Sequence, residues 1–106
     1  MIYELRTYTL LPGNRQRCLE FMEKMSPVRE RLGMRLIGAW TTAIGREEEF
    51  VFMLAHESLD AREEKWAKWR EDPEARKLEK ELAQGGPLSQ YHDVVILRPT
   101  PFSPLK

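Results

Sequence analysis

The sequence has only one cysteine, Cys18, in 106 residues. An internal disulfide is therefore excluded, and this sparing use of cysteine fits a reducing compartment. Charge of one sign is not in excess either, since 17 basic residues stand against 17 acidic ones. Nucleic acid and anionic membranes select basic surfaces, so neither is expected as a partner. No apolar run approaches membrane-spanning length, and the first residues lead directly into a strand pattern with no signal or transit segment, so we expect a cytoplasmic protein.

Recognisable catalytic motifs are also missing. There is no glycine-rich phosphate loop, no Ser-His-Asp or Cys-His constellation and no paired-carboxylate signature. The two histidines and one cysteine have no metal-ligand spacing, so we expect no metal site. The sequence leaves open whether the protein is an enzyme.

The composition is that of a folded domain, with 42% hydrophobic and 32% charged residues. Its length predicts a single domain over 1–106, small enough to gain stability from a partner subunit. The three prolines after residue 98 predict an extended C-terminal arm over 99–106 with no sheet ladder of its own.

The spacing of apolar residues predicts four strands and three helices. The strands are expected at about 2–11, 34–45, 48–57 and 89–98, and the helices at 14–32, after Ser58, and from Asp72-Pro73 to Gly85-Gly86. Pro27 falls inside the first helix and predicts a kink or a break near Ser26. The order strand, helix, strand, strand, helix in two pieces, strand predicts an α+β, ferredoxin-like fold with a four-stranded antiparallel sheet and helices on one face.

The opening strand MIYELRTYTL is unusual because neither face is plainly apolar. Glu4 and Arg6 share a face with Ile2, Tyr8 and Leu10. One sheet face would be bare in a monomer, and a second copy related by a two-fold axis would cover it, giving a dimeric α/β barrel. We expect Glu4 and Arg6 to lie in or at the rim of the space between the two sheets, paired with opposite charges.

Five segments of the sequence resemble the NIPSNAP family. They are IYELRTYTLLPG at 2–13, IGAWTTAIG at 37–45, ESLDAR at 57–62, DPE at 72–74 and ILRPTPFSP at 96–104. The resemblance implies the dimeric α+β barrel fold, which is similar to that of small monooxygenases without cofactors, haem-degrading enzymes and stress-responsive proteins. It implies a homodimer with a pocket but no reaction, because the family's biochemical role is poorly defined. The family often carries His-Leu-Trp-x-Tyr where this chain reads FMLAH at 52–56, so a more apolar pocket is expected.

These observations favour a non-catalytic module that binds a small apolar molecule between the sheet and the helices. The candidate ligand-binding residues are Glu4, Arg6, Tyr8, Trp40, Phe52 and His56. The alternative is a cofactor-independent monooxygenase or isomerase, with His56 or Tyr8 handling protons and Arg6 as an electrostatic stabiliser. A further alternative is haem binding through His56 or His92; otherwise no cofactor is expected.

Several of these residues also have a purely structural interpretation. Glu4 and Arg6 could form a cross-strand network that fixes register or dimer geometry, and His56 could be a solvated or edge histidine. Trp66 and Trp69 are spaced as a helical core stripe, although an aromatic ligand platform is the alternative. Arg62 lies on that inward stripe and needs a partner, for which Glu57 or a backbone carbonyl is expected.

Overall fold

The computed structural model describes all 106 residues and confirms the predicted order of elements. They are β1 (Ile2–Leu10), α1 (Arg15–Arg31), β2 (Arg35–Thr41), β3 (Glu49–His56), α2 (Leu59–Glu71), α3 (Pro73–Ala83) and β4 (Ser89–Leu97). The strands form one sheet in the order β2-β3-β1-β4, and every neighbouring pair is antiparallel. This is the ferredoxin-like topology. No helix combines the length and apolar character needed to cross a membrane.

Helices α2 and α3 begin with side-chain caps at Ser58 and Asp72. The Ser58 hydroxyl accepts the backbone N–H of Ala61 at 3.0 Å, and the Asp72 carboxylate accepts that of Ala75, also at 3.0 Å. Such caps satisfy backbone donors that have no partner within the helix. Arg31, at the end of α1, donates to the same Asp72 carboxylate at 2.8 Å. One side chain therefore both starts α3 and ties it to α1.

Two predicted boundaries are wrong: the break near Ser26, given as the alternative to a kink, and the end of the second strand. Helix α1 runs without a break through Pro27, because Met25 and Val28, on either side of the proline, are fully buried and pack with Ala75. Tertiary packing on this face outweighs the backbone hydrogen bond that proline removes. The second strand ends at Thr41 rather than at residue 45, and Gly45 then takes a positive φ of 130° in the loop.

The strand pairing fixes which residues share a face. Glu4, Arg6 and Tyr8 stand opposite Leu54, Phe52 and Phe50 of β3, respectively, and Glu4 contacts side chains of α2. This face therefore carries the helices and the core. The prediction that Glu4 and Arg6 lie between two sheets is wrong, because α2 supplies their polar partners on the helix-facing side.

The opposite face of the sheet is uncovered. The chain measures 43 × 36 × 19 Å, and its radius of gyration of 14.4 Å exceeds the value of about 13 Å typical of a compact chain of this size. Trp40, Val95 and Leu97 are between 38% and 51% exposed, and pairing places all three on the uncovered face. The Trp40 ring lies over Gly38, where an added Cβ would come within 2.4 Å of it. The monomer is thus a thin two-layer slab with one apolar side.

Ala75 gives a direct test of the α1–α3 packing. The substitution Ala75→Leu inserts three carbons at a fully buried position, and overpacking of this kind should lower the free energy of unfolding by about 1–3 kcal/mol. Ala83→Leu, at an exposed position of the same helix, should change it by less than about 0.5 kcal/mol. Urea denaturation measures both, and equal effects of the two variants would contradict this packing.

Candidate functional site

The carboxylate of Glu4 lies fully buried at the centre of the structure. It accepts hydrogen bonds from Arg6 Nη1 at 2.7 Å and from Arg62 Nε and Nη2 at 2.9 and 3.3 Å. Trp66 Nε1 donates at 3.0 Å, and His56 Nε2 lies 2.9 Å away. These four partners come from β1, β3 and α2. We call the five side chains the Glu4 cluster.

The cluster keeps Glu4 ionised. Burial by itself would raise its pKa, but the hydrogen bonds from Arg62, Trp66, Arg6 and His56 outweigh this and lower the pKa to about 2. The cluster also supplies the partner of Arg62, for which Glu57 or a backbone carbonyl was expected. That prediction is wrong: Arg62 binds Glu4 and, at the surface, Glu63 at 2.7 Å.

His56 is sealed inside this cluster. Its side chain has no exposed surface, and because Glu4 can only accept, Nε2 carries the ring proton. Burial lowers the pKa of His56 despite the opposing effect of Glu4, so the ring is neutral at pH 7. The other ring nitrogen, Nδ1, is buried with no partner. An axial haem ligand needs a ring nitrogen that the iron can reach, and His56 does not fit that role because its whole side chain is buried.

A pocket of about 260 Å³ opens beside the Glu4 cluster, between the sheet and the helices. Arg6 and Tyr8 of β1, Arg29 of α1, and Arg62, Trp66 and Trp69 of α2 line it. In all, four arginines and two glutamates face the pocket. The arginines outnumber the glutamates, so the pocket is cationic. Its remaining lining is aromatic rather than aliphatic.

Arg29 brings a buried positive charge that no acidic side chain of the protein neutralises. The residue is 6% exposed, its Nε is enclosed without an acceptor, and Nη2 reaches only the sulfur of Met22 at 3.6 Å. Its guanidinium carbon lies 5.0 Å from the centre of the Phe52 ring. Burial lowers the pKa of Arg29, yet an arginine stays cationic at neutral pH. The pocket wall therefore holds an unpaired cation.

The aromatic side chains of the pocket wall are held by contacts with one another and with Arg6. The rings of Trp66 and Trp69 meet edge to face with centroids 5.1 Å apart, and the Arg6 guanidinium carbon lies 4.7 Å from the centre of the Trp66 ring. Arg6 also donates from Nε to the Tyr8 hydroxyl at 3.4 Å. Trp69 Nε1 is buried without an acceptor. Thus two side chains that line the pocket, Arg29 and Trp69, each carry a buried donor with no acceptor within the chain.

The structure brings together only some of the residues proposed from sequence. Arg6 and Tyr8 line the pocket. Glu4 and His56 lie behind its wall, and Phe52 is fully buried beneath Arg29. Trp40 stands on the uncovered face of the sheet, out of reach of this pocket. Their roles as ligand-binding or catalytic residues stay predictions.

Arg29 was missed, although the sequence contains a signal for it. It follows Met25 by four residues and precedes Leu32 by three, so it sits on the apolar stripe of α1. A charged residue on such a stripe needs a buried partner or a functional reason. Trp66 and Trp69 were expected as core, and they are both core and pocket wall.

His92 lies on exposed β4, with its ring 5.2 Å from that of Tyr8. It is the only histidine with an accessible side chain, so haem binding through His92 stays a prediction. No group of three or more His, Cys, Asp and Glu side chains is arranged to hold a metal ion.

Glu4 should dominate the acid sensitivity of the fold. Its pKa is about 2 in the structure against an ordinary 4.5, so the ionised form stabilises the fold by about 3 kcal/mol above about pH 5. That contribution is lost as the pH falls from about 5 towards 2. His56 adds to this loss of stability in acid. Its pKa is lowered in the folded state, so protonation at low pH favours the unfolded chain. Urea denaturation at several pH values should show this decline.

Glu4→Gln should lower the free energy of unfolding at pH 7 by about 3–5 kcal/mol, since it leaves buried cations uncompensated. The decline in stability below about pH 5 should then be shallower than in the wild type. Glu63→Gln is the matched control, because Glu63 binds only Arg62 and does so at the surface. If Glu4→Gln behaved like Glu63→Gln, the role given to the cluster would be wrong.

Comparison with known proteins agrees with this architecture. A NipSnap homologue from Dictyostelium discoideum is 28% identical over 106 residues, and the alignment covers 99% of this chain but only 40% of that protein. A NIPSNAP family protein from Agrobacterium tumefaciens is 32% identical, with a TM-score of 0.87 and coverage of 99% and 90% of the two chains. A NIPSNAP domain protein from Burkholderia xenovorans is 23% identical, with a TM-score of 0.86 and coverage of 98% and 99%.

A more distant likeness concerns the fold alone. A putative antibiotic biosynthesis monooxygenase from Nitrosomonas europaea is 10% identical, with a TM-score of 0.68 and coverage of 93% of this chain and 98% of that one. The NIPSNAP family model, in contrast, matches residues 3–104, which include the whole Glu4 cluster and every residue that lines the pocket. The chain therefore belongs to the NIPSNAP family.

Proposed function

We propose that this protein is a homodimeric module that binds a small organic molecule in the pocket between the sheet and the helices, and that it acts by binding rather than by catalysis. The observation that carries the proposal is Arg29, a buried cation on the pocket wall with no acidic partner in the chain. A protein retains such a charge at a loss of stability, which a function compensates.

The pocket has the general character of a ligand site. Its volume of about 260 Å³ is slightly below the range of roughly 300–1,000 Å³ that is usual for small-molecule pockets, so it suits a small ligand. Glu4 holds Arg6 and Arg62 in fixed positions, so a ligand would meet a wall that is already ordered. Preorganisation of this kind reduces the entropy lost on binding. The arginines replace the sequence-based expectation of an apolar ligand with that of a polar one.

The proposal includes a second copy of the chain on the uncovered sheet face. That face is formed by all four strands of the sheet, and a standard interface buries roughly 800 Å² per partner. Its exposed side chains include Trp40, Val95 and Leu97, and apolar patches of this extent are typical of interfaces. Because the pocket lies on the other face, each subunit would keep its own site.

Native mass spectrometry of protein purified without added ligand tests both parts of the proposal. We expect a dimer in which each chain carries a discrete extra mass. Val95→Glu should give monomers, because it places a charge on the uncovered face. Val94→Glu should leave the dimer intact, since Val94 has similar exposure but pairs with Arg6 on the helix-facing side. A monomeric wild type would overturn the dimer, and an empty one would count against a retained ligand.

A cofactor-independent oxygenase or isomerase is the second candidate. One observation favours it: the Tyr8 hydroxyl lies on the pocket wall and accepts a hydrogen bond from Arg6 Nε at 3.4 Å. A cation so placed would stabilise a phenolate or an oxyanion. His56 does not serve this chemistry, because its side chain is sealed.

Oxygen consumption with phenolic substrates tests this candidate. If Tyr8 transfers the proton, Tyr8→Phe should lower the rate by about 100-fold or more. Tyr91→Phe, on the uncovered face, should leave it unchanged. If the wild type consumes no oxygen with any such substrate, the oxygenase is wrong; if it also leaves those substrates unisomerised, the binding module is retained.

A further inference from the structure

Two hydrogen-bond donors on side chains that line the pocket have no acceptor in the protein, and they indicate the chemistry of its ligand. Arg29 has no oxygen acceptor within hydrogen-bond distance, and the indole Nε1 of Trp69 is enclosed without any acceptor. Both side chains line the same pocket. Buried donors are nearly always satisfied in folded proteins, and each one left unpaired destabilises the fold. The group that would satisfy both must accept hydrogen bonds and carry negative charge.

The number of unpaired charges specifies the charge of the ligand. Arg6 and Arg62 are already neutralised by two carboxylates: Glu4, which they contact at 2.7 and 2.9 Å, and Glu63, which binds Arg62 at 2.7 Å. Arg70 is an exposed residue at the rim, where water screens it. Arg29 is thus the one fully buried cation without an anion. A single negative charge matches it, whereas a phosphate dianion would bring a surplus charge into the pocket.

The walls and the volume specify the body of the ligand. A cavity of about 150 Å³ holds benzene, so a pocket of about 260 Å³ has room for one ring and a short acidic side chain. Trp66, Trp69 and Tyr8 offer flat surfaces against which such a ring can stack or meet edge to face. A guanidinium fork matches the planar geometry of a carboxylate.

We infer that the pocket binds a small aromatic monocarboxylate, with the carboxylate at Arg29 and the ring among the tryptophans. This inference rests on the proposed function, because it names the class of molecule that the same pocket takes. A carboxylate only accepts hydrogen bonds, which is what the Arg29 and Trp69 donors require.

NMR titration of the full-length protein with benzoate, phenylacetate, benzamide and inorganic phosphate tests the inference. Benzoate or phenylacetate should shift the Arg29 Nε–H and Trp69 indole N–H resonances, while the Trp40 indole on the opposite face stays unchanged. Benzamide, which has the same shape without the charge, should bind at least about 10-fold more weakly, because charge-assisted hydrogen bonds are the stronger ones.

Arg29→Met should reduce benzoate affinity by about 10-fold or more and leave benzamide affinity within about 2-fold of wild type. It should not lower the thermal midpoint of the free protein, because it removes a buried unpaired charge. Arg15→Met, at an exposed position of the same helix, is the matched control and should change neither affinity. If Arg29→Met did not fold, the comparison of benzoate with benzamide on the wild type would still decide the question.

The outcomes separate the inference from the proposed function. Equal affinity for benzoate and benzamide would overturn the inference but leave a small-molecule pocket. Binding of phosphate in preference to both carboxylates would overturn the choice of carboxylate. Absence of binding by all four probes, together with an empty protein in native mass spectrometry, would overturn both.

Discussion

The structure depends on one buried negative charge. Glu4 has no access to water, so its carboxylate must be stabilised by donors from the protein itself. Arg6 comes from its own strand, His56 from β3, and Arg62 and Trp66 from α2. Satisfying this single group therefore fixes the position of α2 over the sheet. It also orients the two arginines that form part of the pocket wall.

The same arrangement explains why the pocket is cationic. The one negative charge of the Glu4 cluster is bound by Arg6 and Arg62. No carboxylate is left to pair with Arg29, which reaches the pocket from α1. Core packing places Arg29 there, because its neighbours on the stripe, Met25 and Val28, are fully buried. Stability and binding thus make opposite demands on this residue. The helix-facing side of the sheet accommodates polar chemistry, while the uncovered side is apolar.

The fold was predictable because its signals are local. Period-two and period-3.6 patterns, the caps at Ser58 and Asp72, and the glycines after α3 each lie within a few residues of the element they define. The Glu4 cluster was not predictable in the same way, because three of the four partners of Glu4 lie 52 to 62 residues away in sequence. Alternation shows which residues share a face but not which face meets the helices, and for this reason Glu4 and Arg6 were assigned to the wrong side. Pro27 shows the reverse case, in which tertiary packing overrides a strong local signal.

The strand order has a consequence for how the protein is made. Strand β1 is synthesised first, yet it lies inside the sheet, and its two neighbours are β3 at 49–56 and β4 at 89–97. The central strand must wait for most of the chain before both of its edges are paired. Until then, its backbone donors and acceptors remain available to strands of other chains, which is the usual route to misassembly. A chain truncated before β4 would leave one edge of this central strand unpaired, so correct folding of this small domain depends on the synthesis of its last strand.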